Sequence, residues 1–172
     1  SEAIRRAIDE LGFEHPMPVQ EEVIPYLLGN KNDVIALAQT GTGKTAAFGL
    51  PVLQKIDAEN KAIQAIILSP TRELCVQIAD DLKDFSKYIN ALHVVAVYGG
   101  ADIRPQMKAI KHGAQIIVAT PGRLVDLINR GVMVLDEVNN VVLDEADEML
   151  NMGFSDSINA IFEQLPDNRN TL

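Results

Sequence analysis

Val34-Ile35-Ala36-Leu37-Ala38-Gln39-Thr40-Gly41-Thr42-Gly43-Lys44-Thr45-Ala46-Ala47-Phe48 joins an apolar run to the start of a helical pattern through a glycine-rich turn. Val34-Ile35-Ala36-Leu37 has the length and composition of a buried parallel strand, and Ala46-Ala47-Phe48 opens the helix. Between them, backbone N–H groups gathered at a helix N-terminus can curl round a polyphosphate. Gly41 and Gly43 permit the torsions and the close approach that a side chain would forbid. Lys44 can neutralise β- and γ-phosphate charge, and the Thr45 hydroxyl suits a magnesium ion. Ala38 stands where the general pattern G-x-x-x-x-G-K-[ST] has its first glycine. The plainer alternative is a tight structural turn, but Gly-Lys-Thr at a strand-to-helix junction favours nucleotide binding.

The bulk properties bound what surrounds this loop. A chain of 172 residues, 47% hydrophobic and free of low-complexity tracts, fits one globular domain with a sizeable core. No apolar run reaches transmembrane length, and Ser1-Glu2-Ala3-Ile4-Arg5-Arg6 lacks the apolar centre of a signal peptide, so the expected location is cytoplasmic. The single cysteine, Cys75, has no partner for an internal disulfide and no neighbours at metal-ligand spacing, and reads as a buried or half-buried thiol. With 15 Lys and Arg against 24 Asp and Glu, the net charge of −9 gives no general attraction to polyanions. Any nucleic-acid surface must therefore be local.

Before the loop, Ala3, Ile4, Ala7, Ile8 and Leu11 recur at helical spacing and Gly12 follows where a helix would stop. Pro16 and Pro18 then force an extended or turning path into a helix carrying Val23, Ile24, Leu27 and Leu28. Gln20 offers a donor and an acceptor together, as reading an adenine edge requires, and Phe13 offers a flat apolar surface. A core Phe and a surface Gln are the commoner reading of such a pair. After the loop, the first helix runs to about Ile56. Strands are expected at Ala65-Ile66-Ile67-Leu68, from Leu92 to Val97, from Gln115 to Ala119, and at Asn140-Val141-Val142-Leu143. The helical stripes between them are Leu74, Ile78, Leu82 and Phe85, then Ile103 to Ile110, then Leu124, Leu127 and Ile128. Such alternation indicates an α/β fold, a mainly parallel sheet with helices on both faces. In these sheets ligands lie beyond the carboxyl ends of the strands. Each unusual cluster falls at such an end: Gln39 to Thr45, Pro70 to Glu73, Gly99-Gly100, Thr120 to Arg123, and Asp144 to Asp147.

Val141-Val142-Leu143 leads straight into Asp144-Glu145, the arrangement expected of a Walker B segment facing a phosphate loop. Asp144 would hold magnesium, through water, because that ion dehydrates reluctantly. Glu145 would orient the water that attacks the γ-phosphate. The competing structural reading is that Asp144, Glu145, Asp147 and Glu148 favour the start of a short helix continuing through Met149-Leu150. His15, His93 and His112 are scattered and carry no assigned chemistry.

These residues, taken together, strongly resemble the first RecA-like domain of DEAD-box ATP-dependent RNA helicases. Gly12-Phe13 with Pro16 and Val19-Gln20 resembles the adenine-reading Q motif. Ala38 to Thr45 resembles motif I, where that family itself carries alanine first. Pro70-Thr71-Arg72-Glu73-Leu74 is similar to motif Ia, Gly99-Gly100 to the GG element, Thr120-Pro121-Gly122-Arg123 to motif Ib, and Asp144-Glu145-Ala146-Asp147 to motif II. The resemblance implies a RecA-like P-loop NTPase fold that binds ATP and Mg2+. Phe13, Pro16, Gln20 and Gln39, Thr40, Gly41, Thr42, Gly43, Lys44 and Thr45 would hold the nucleotide, with Lys44, Asp144 and Glu145 in catalysis, Thr45 and Asp144 at the metal, and Asp147 coupling motif II. It also implies that Pro70, Thr71, Arg72, Gly99, Gly100, Thr120, Pro121, Gly122 and Arg123 grip one RNA strand by its sugar-phosphate backbone.

Residues of these types at strand ends suit phosphate contacts and lack the side chains for reading bases, so binding should be independent of sequence. Turn and helix-cap chemistry is a second role for the same Pro and Thr residues. The family continues past Arg169-Asn170-Thr171-Leu172 into a Ser-Ala-Thr motif III and a second RecA-like domain. The whole of 1–172 is accordingly expected to be one excised N-terminal domain, monomeric and nearly inactive alone, whose partners are RNA and that second domain. Two functions fit: an ATP-dependent RNA helicase that remodels duplexes, or an ATP-dependent RNA clamp or assembly platform without productive unwinding.

Overall fold

The computed structural model describes residues 33–36, 44–89 and 91–165. Expectations for the helices before residue 30, for Phe13, Pro16 and Gln20, for 37–43 of the phosphate loop, and for 169–172 lie outside the described residues. In chain order the elements are β1 (Asp33–Ala36), α1 (Lys44–Lys55), β2 (Ala65–Leu68), α2 (Arg72–Phe85), β3 (Val94–Val97) and α3 (Ile103–His112). They continue with β4 (Ile116–Ala119), α4 (Pro121–Asn129), β5 (Asn140–Leu143), α5 (Ala146–Asn151) and α6 (Ser155–Glu163).

The strands form a five-stranded sheet in the order β1-β5-β2-β4-β3, with every neighbouring pair parallel. Near-continuous apolar runs are what a sheet covered on both faces requires, because successive side chains point to opposite sides. Ala65, Ile67, Ile116, Val118 and Val142 enter one core, together with Phe48, Val52 and Leu53 of α1 and Ile78, Ala79 and Leu82 of α2. Ile66, Leu68, Ile117, Ala119, Val141 and Leu143 enter the other, under α3 to α6. Ile66 and Ile67, adjacent in sequence and fully buried, thus anchor different cores. Truncating either to Ala would cost about 2–5 kcal/mol.

The order of connections fixes which face each helix covers. From β1 to β2 to β3 the chain moves one way along the sheet, over the face of α1 and α2. From β3 to β4 to β5 it returns over the other face, under α3 and α4. A single crossover hand demands this change of face when the direction reverses. Adjacent strands β1 and β5 therefore send their following chains to opposite sides, as do β2 and β4. The crevices opened at such switch points are where open parallel sheets bind ligands.

The amino edge of the sheet is closed by side-chain amides. Gln64 donates from Nε2 to the Asp57 and Asn60 carbonyls at 2.9 Å each and accepts the Asp57 N–H at 2.8 Å. Gln115 accepts the His93 N–H at 2.8 Å and donates to Ala58 and Ala91. The strands expected from Leu92 and from Gln115 start later, at Val94 and Ile116. The first helix ends at Lys55 rather than Ile56. Cys75 is fully buried, as the sequence allowed.

Candidate functional site

Register sets the carboxyl ends of β1 and β5 beside each other. Ala36, the last residue of β1, pairs with Leu143, the last residue of β5. The chain leaving β1 reaches α1 at Lys44-Thr45, and the chain leaving β5 begins at once with Asp144-Glu145. Both segments depart from the same edge, at the β1/β5 switch point. Thr45 is half-buried, and the carboxylate-bearing Asp144 is 2% exposed. The Asp144 N–H is fixed by the Leu68 carbonyl at 2.8 Å, which ties this residue to the end of the central strand β2.

Glu145 sits at φ 57°, ψ 48°, a left-handed conformation that costs a non-glycine residue about 1 kcal/mol or more. This turn stops β5 and starts α5 with no intervening loop, so consecutive carboxylates are redirected at the sheet edge. The Glu145 carbonyl then accepts from the Met149 N–H at 3.0 Å, and Asp147 and Glu148 occupy the first turn of α5. Asp147 and Glu148 thus stand at the helix start that the structural reading expected. The field of Asp144 reaches α2: burial first, then the Asp144 charge, push the Cys75 thiol up to about 12.

Beside this edge, at the β2/β4 switch point, a cleft of about 420 Å³ is lined by Pro70, Arg72, Gly99, Thr120, Gly122 and Arg123, with Asp126 and Phe154. Residues from widely separated parts of the sequence thus meet in one place. The Thr120 hydroxyl accepts the Gly99 N–H at 3.3 Å, and the Arg72 guanidinium lies over the Tyr98 ring at 5.0 Å. Gly100 adopts φ +80°, which favours glycine there. A Cβ at Gly99 or Gly122 would meet nothing within 4 Å, so the cleft wall at these positions is open backbone.

Thr71, Gly100 and Pro121 do not line the cleft. The Thr71 hydroxyl caps α2 by accepting the Leu74 N–H at 3.2 Å, and Pro121 is buried in the first turn of α4. Arg104 beside Asp102 holds that carboxyl below the usual range, first through side-chain hydrogen bonds, with the Arg123 charge adding to the effect.

Gln106 on α3 is a residue whose part the sequence does not announce. It is buried, accepts the Tyr98 N–H at 3.2 Å, donates to the Tyr98 carbonyl at 3.3 Å, and receives Arg123 Nη1 at 2.9 Å. Arg123 Nη2 reaches the Ala101 carbonyl at 3.0 Å. The glycine loop and the start of α4 are therefore locked through one amide. Its sequence signal is faint: a neutral polar residue on the buried side of an amphipathic helix. Phe154 is likewise absent from the expected set and brings an aromatic surface to the cleft.

Among the described residues no cluster of three or more His, Cys, Asp or Glu could hold a metal, and no helix is long and apolar enough to cross a membrane. A family model described as DEAD/DEAH box helicase matches residues 17–172. The ATP-dependent RNA helicase CshA of Limosilactobacillus reuteri is 54% identical over 172 residues, covering 100% of this chain and 34% of that protein. The ATP-dependent RNA helicase DeaD of Escherichia coli (strain K12) is 51% identical over 168 residues, 98% of this chain and 27% of that protein. The chain thus spans about a third of the length of these curated relatives.

A crystal structure of a DEAD box protein from the hyperthermophile Methanococcus jannaschii superposes with TM-score 0.73 at 44% identity, covering 98% of this chain and 46% of that one. A hypothetical ATP-dependent RNA helicase from Sulfolobus tokodaii gives TM-score 0.69 at 39% identity, with 99% and 49% covered. The parallel sheet with helices on both faces is the RecA-like architecture of these neighbours. With the family model spanning nearly its whole length and this fold shared, the chain belongs to the DEAD/DEAH box helicase family.

Proposed function

We propose that the chain is the Mg-ATP-binding and RNA-binding half of an ATP-dependent RNA helicase, coupling nucleotide binding and hydrolysis to remodelling of RNA duplexes. The observation that carries this reading is the Ala36–Leu143 pairing, which ends β1 and β5 side by side at one switch point. The names of the relatives, ATP-dependent RNA helicases, agree with it.

The donor chemistry fits magnesium. Thr45 and Asp144 would supply the hard oxygen donors that magnesium takes. Bound there, the ion would neutralise charge on the β- and γ-phosphates. Lys44 adds a second positive charge, backbone N–H groups of 39–45 cradle the phosphates, and Gln20 with Phe13 and Pro16 holds adenine. Glu145 orients and polarises the attacking water, and its strained turn fixes where that carboxylate starts from. Asp147 relays motif II to the RNA side.

RNA is held along its backbone in the cleft by Arg72, Arg123, Thr120 and the exposed main chain at Gly99 and Gly122. A second RecA-like domain completes both sites, and its closure over ATP and RNA strains one strand and separates a short duplex. The differential affinity of the closed state drives the change. The chain by itself binds nucleotide weakly and shows negligible RNA-stimulated hydrolysis, since each site is half built. Strand displacement by the two-domain protein, compared with nucleotide-dependent RNA retention, tests the reading. Displacement that stops with Glu145→Gln supports it. Retention with no displacement would replace it by the clamp.

A further inference from the structure

At the opposite corner of the molecule, a groove of about 850 Å³ runs beside β3. Its floor is apolar: Leu92, Val94, Val95, Pro105 and Ala109. Its rim carries Lys83, Lys108 and Lys111, with His93 and His112, and among the described residues no Asp or Glu lines it. That is a local concentration of positive charge on a chain whose net charge is −9.

Among the described residues the groove lies along an open sheet edge, because β3 is the last strand in the order. The His93 carbonyl accepts from Gln115 and Ile116, and the Val97 carbonyl accepts from Thr120, so residues of that parity face β4. Val94 and Ala96, of the other parity, turn their backbone N–H and C=O outward. The same outer edge is closed at Tyr98, where the Gln106 amide accepts the N–H and donates to the carbonyl much as a neighbouring strand would. One end of the edge is therefore capped by the protein's own side chain, and the stretch above the apolar floor is left to a ligand.

We propose that this groove takes an extended acidic peptide, which adds to the outer edge of β3 through Val94 and Ala96. Its carboxylates meet Lys83, Lys108 and Lys111, and its alternate apolar side chains lie on Val95, Pro105 and Ala109. Strand addition supplies main-chain hydrogen bonds, and alternating pockets supply selectivity. A second copy of the chain is disfavoured as the occupant, because pairing two such edges would bring like-charged rims together. A sugar-phosphate backbone would use the lysines but neither the apolar floor nor the strand edge. The groove lies at the amino ends of β3 and β4, away from the nucleotide edge, so a peptide held there need not compete with ATP.

The test is fluorescence anisotropy of the whole chain with a fluorescein-labelled peptide of sequence Glu-Val-Glu-Ile-Glu-Val-Glu-Ile, against the same peptide with Lys for Glu. The acidic peptide should bind and the basic one should not. Lys108→Glu with Lys111→Glu, both at exposed positions, should weaken binding by about tenfold or more while leaving circular dichroism and ATP affinity unchanged. In amide NMR spectra the acidic peptide should shift Val94 and Ala96 and leave Thr45 in place. Absence of binding, equal binding of both peptides, or indifference to the double substitution would overturn the proposal. So would a groove that binds oligouridylate through the same lysines and ignores the peptide.

Discussion

Arg123 donates from Nη1 to Gln106 Oε1 at 2.9 Å, and that same oxygen accepts the Tyr98 N–H at 3.2 Å. One amide thus couples the start of α4 to the end of β3, and with it the geometry of the cleft. Gln106→Leu would leave the Tyr98 N–H and carbonyl and the Arg123 guanidinium short of partners at a buried position. The expected cost is about 2 kcal/mol in urea denaturation. In the two-domain protein RNA affinity should fall while ATP affinity stays, by titration with labelled oligouridylate and with labelled ATP. Equal loss of both ligands would make Gln106 a general fold residue.

Glu145 separates stability from turnover. Its left-handed backbone is a strain that glycine would not carry, so Glu145→Gly should raise stability by up to about 1 kcal/mol and, in the two-domain protein, abolish hydrolysis. Glu145→Gln in the two-domain protein should keep ATP binding and stop phosphate release. Undiminished release would remove the carboxylate from its assigned role.

Cys75 is expected to be inert to iodoacetamide in the folded chain and to react on unfolding, because burial and the Asp144 charge hold its thiol protonated. Its pKa is raised in the folded state from 9.0 to about 12, so the unfolded state loses the proton first as pH rises. The stabilising contribution is complete below pH 9 and is lost progressively between 9 and 12. Over that window denaturation midpoints should fall more steeply for the native chain than for Cys75→Ala. Parallel slopes would contradict the shift.

Lys44→Ala should weaken ATP binding by about tenfold to a hundredfold, the worth of one charge-assisted phosphate contact. Calorimetric titration of ATP into the chain measures it. Unchanged affinity would remove Lys44 from the phosphates.

How much of this could be read from the sequence depends on whether a feature is local. Ala65–Leu68 and Asn140–Leu143 are strands at the expected residues because short, mainly apolar runs suit a parallel sheet buried on both faces. The clusters at the carboxyl ends were legible for the same reason, since a strand end fixes where its next residues go. Strand order was not: nothing local says that β5 inserts between β1 and β2, and that insertion is what brings Asp144 beside the β1 exit.

Helix α6 also escapes the reading. Ile158, Ile161 and Phe162 carry a helical stripe, but the N-cap is Phe154 with no side-chain cap bond, so the usual start signal is missing. Gln106 shows the same limit at a single residue, because its partners, Tyr98 and Arg123, come from loops that only the fold brings together.

The proposed convergence of Thr45 and Asp144 on one metal-triphosphate is tested most directly by replacing magnesium with paramagnetic manganese in amide NMR of the labelled chain. With Mn-ATP bound, the amide signals of Thr45 and Asp144 should broaden together, while Gly113 at the far edge of the sheet stays sharp. Broadening at Thr45 with Asp144 unaffected, or broadening centred on the β3 groove, would contradict the shared site.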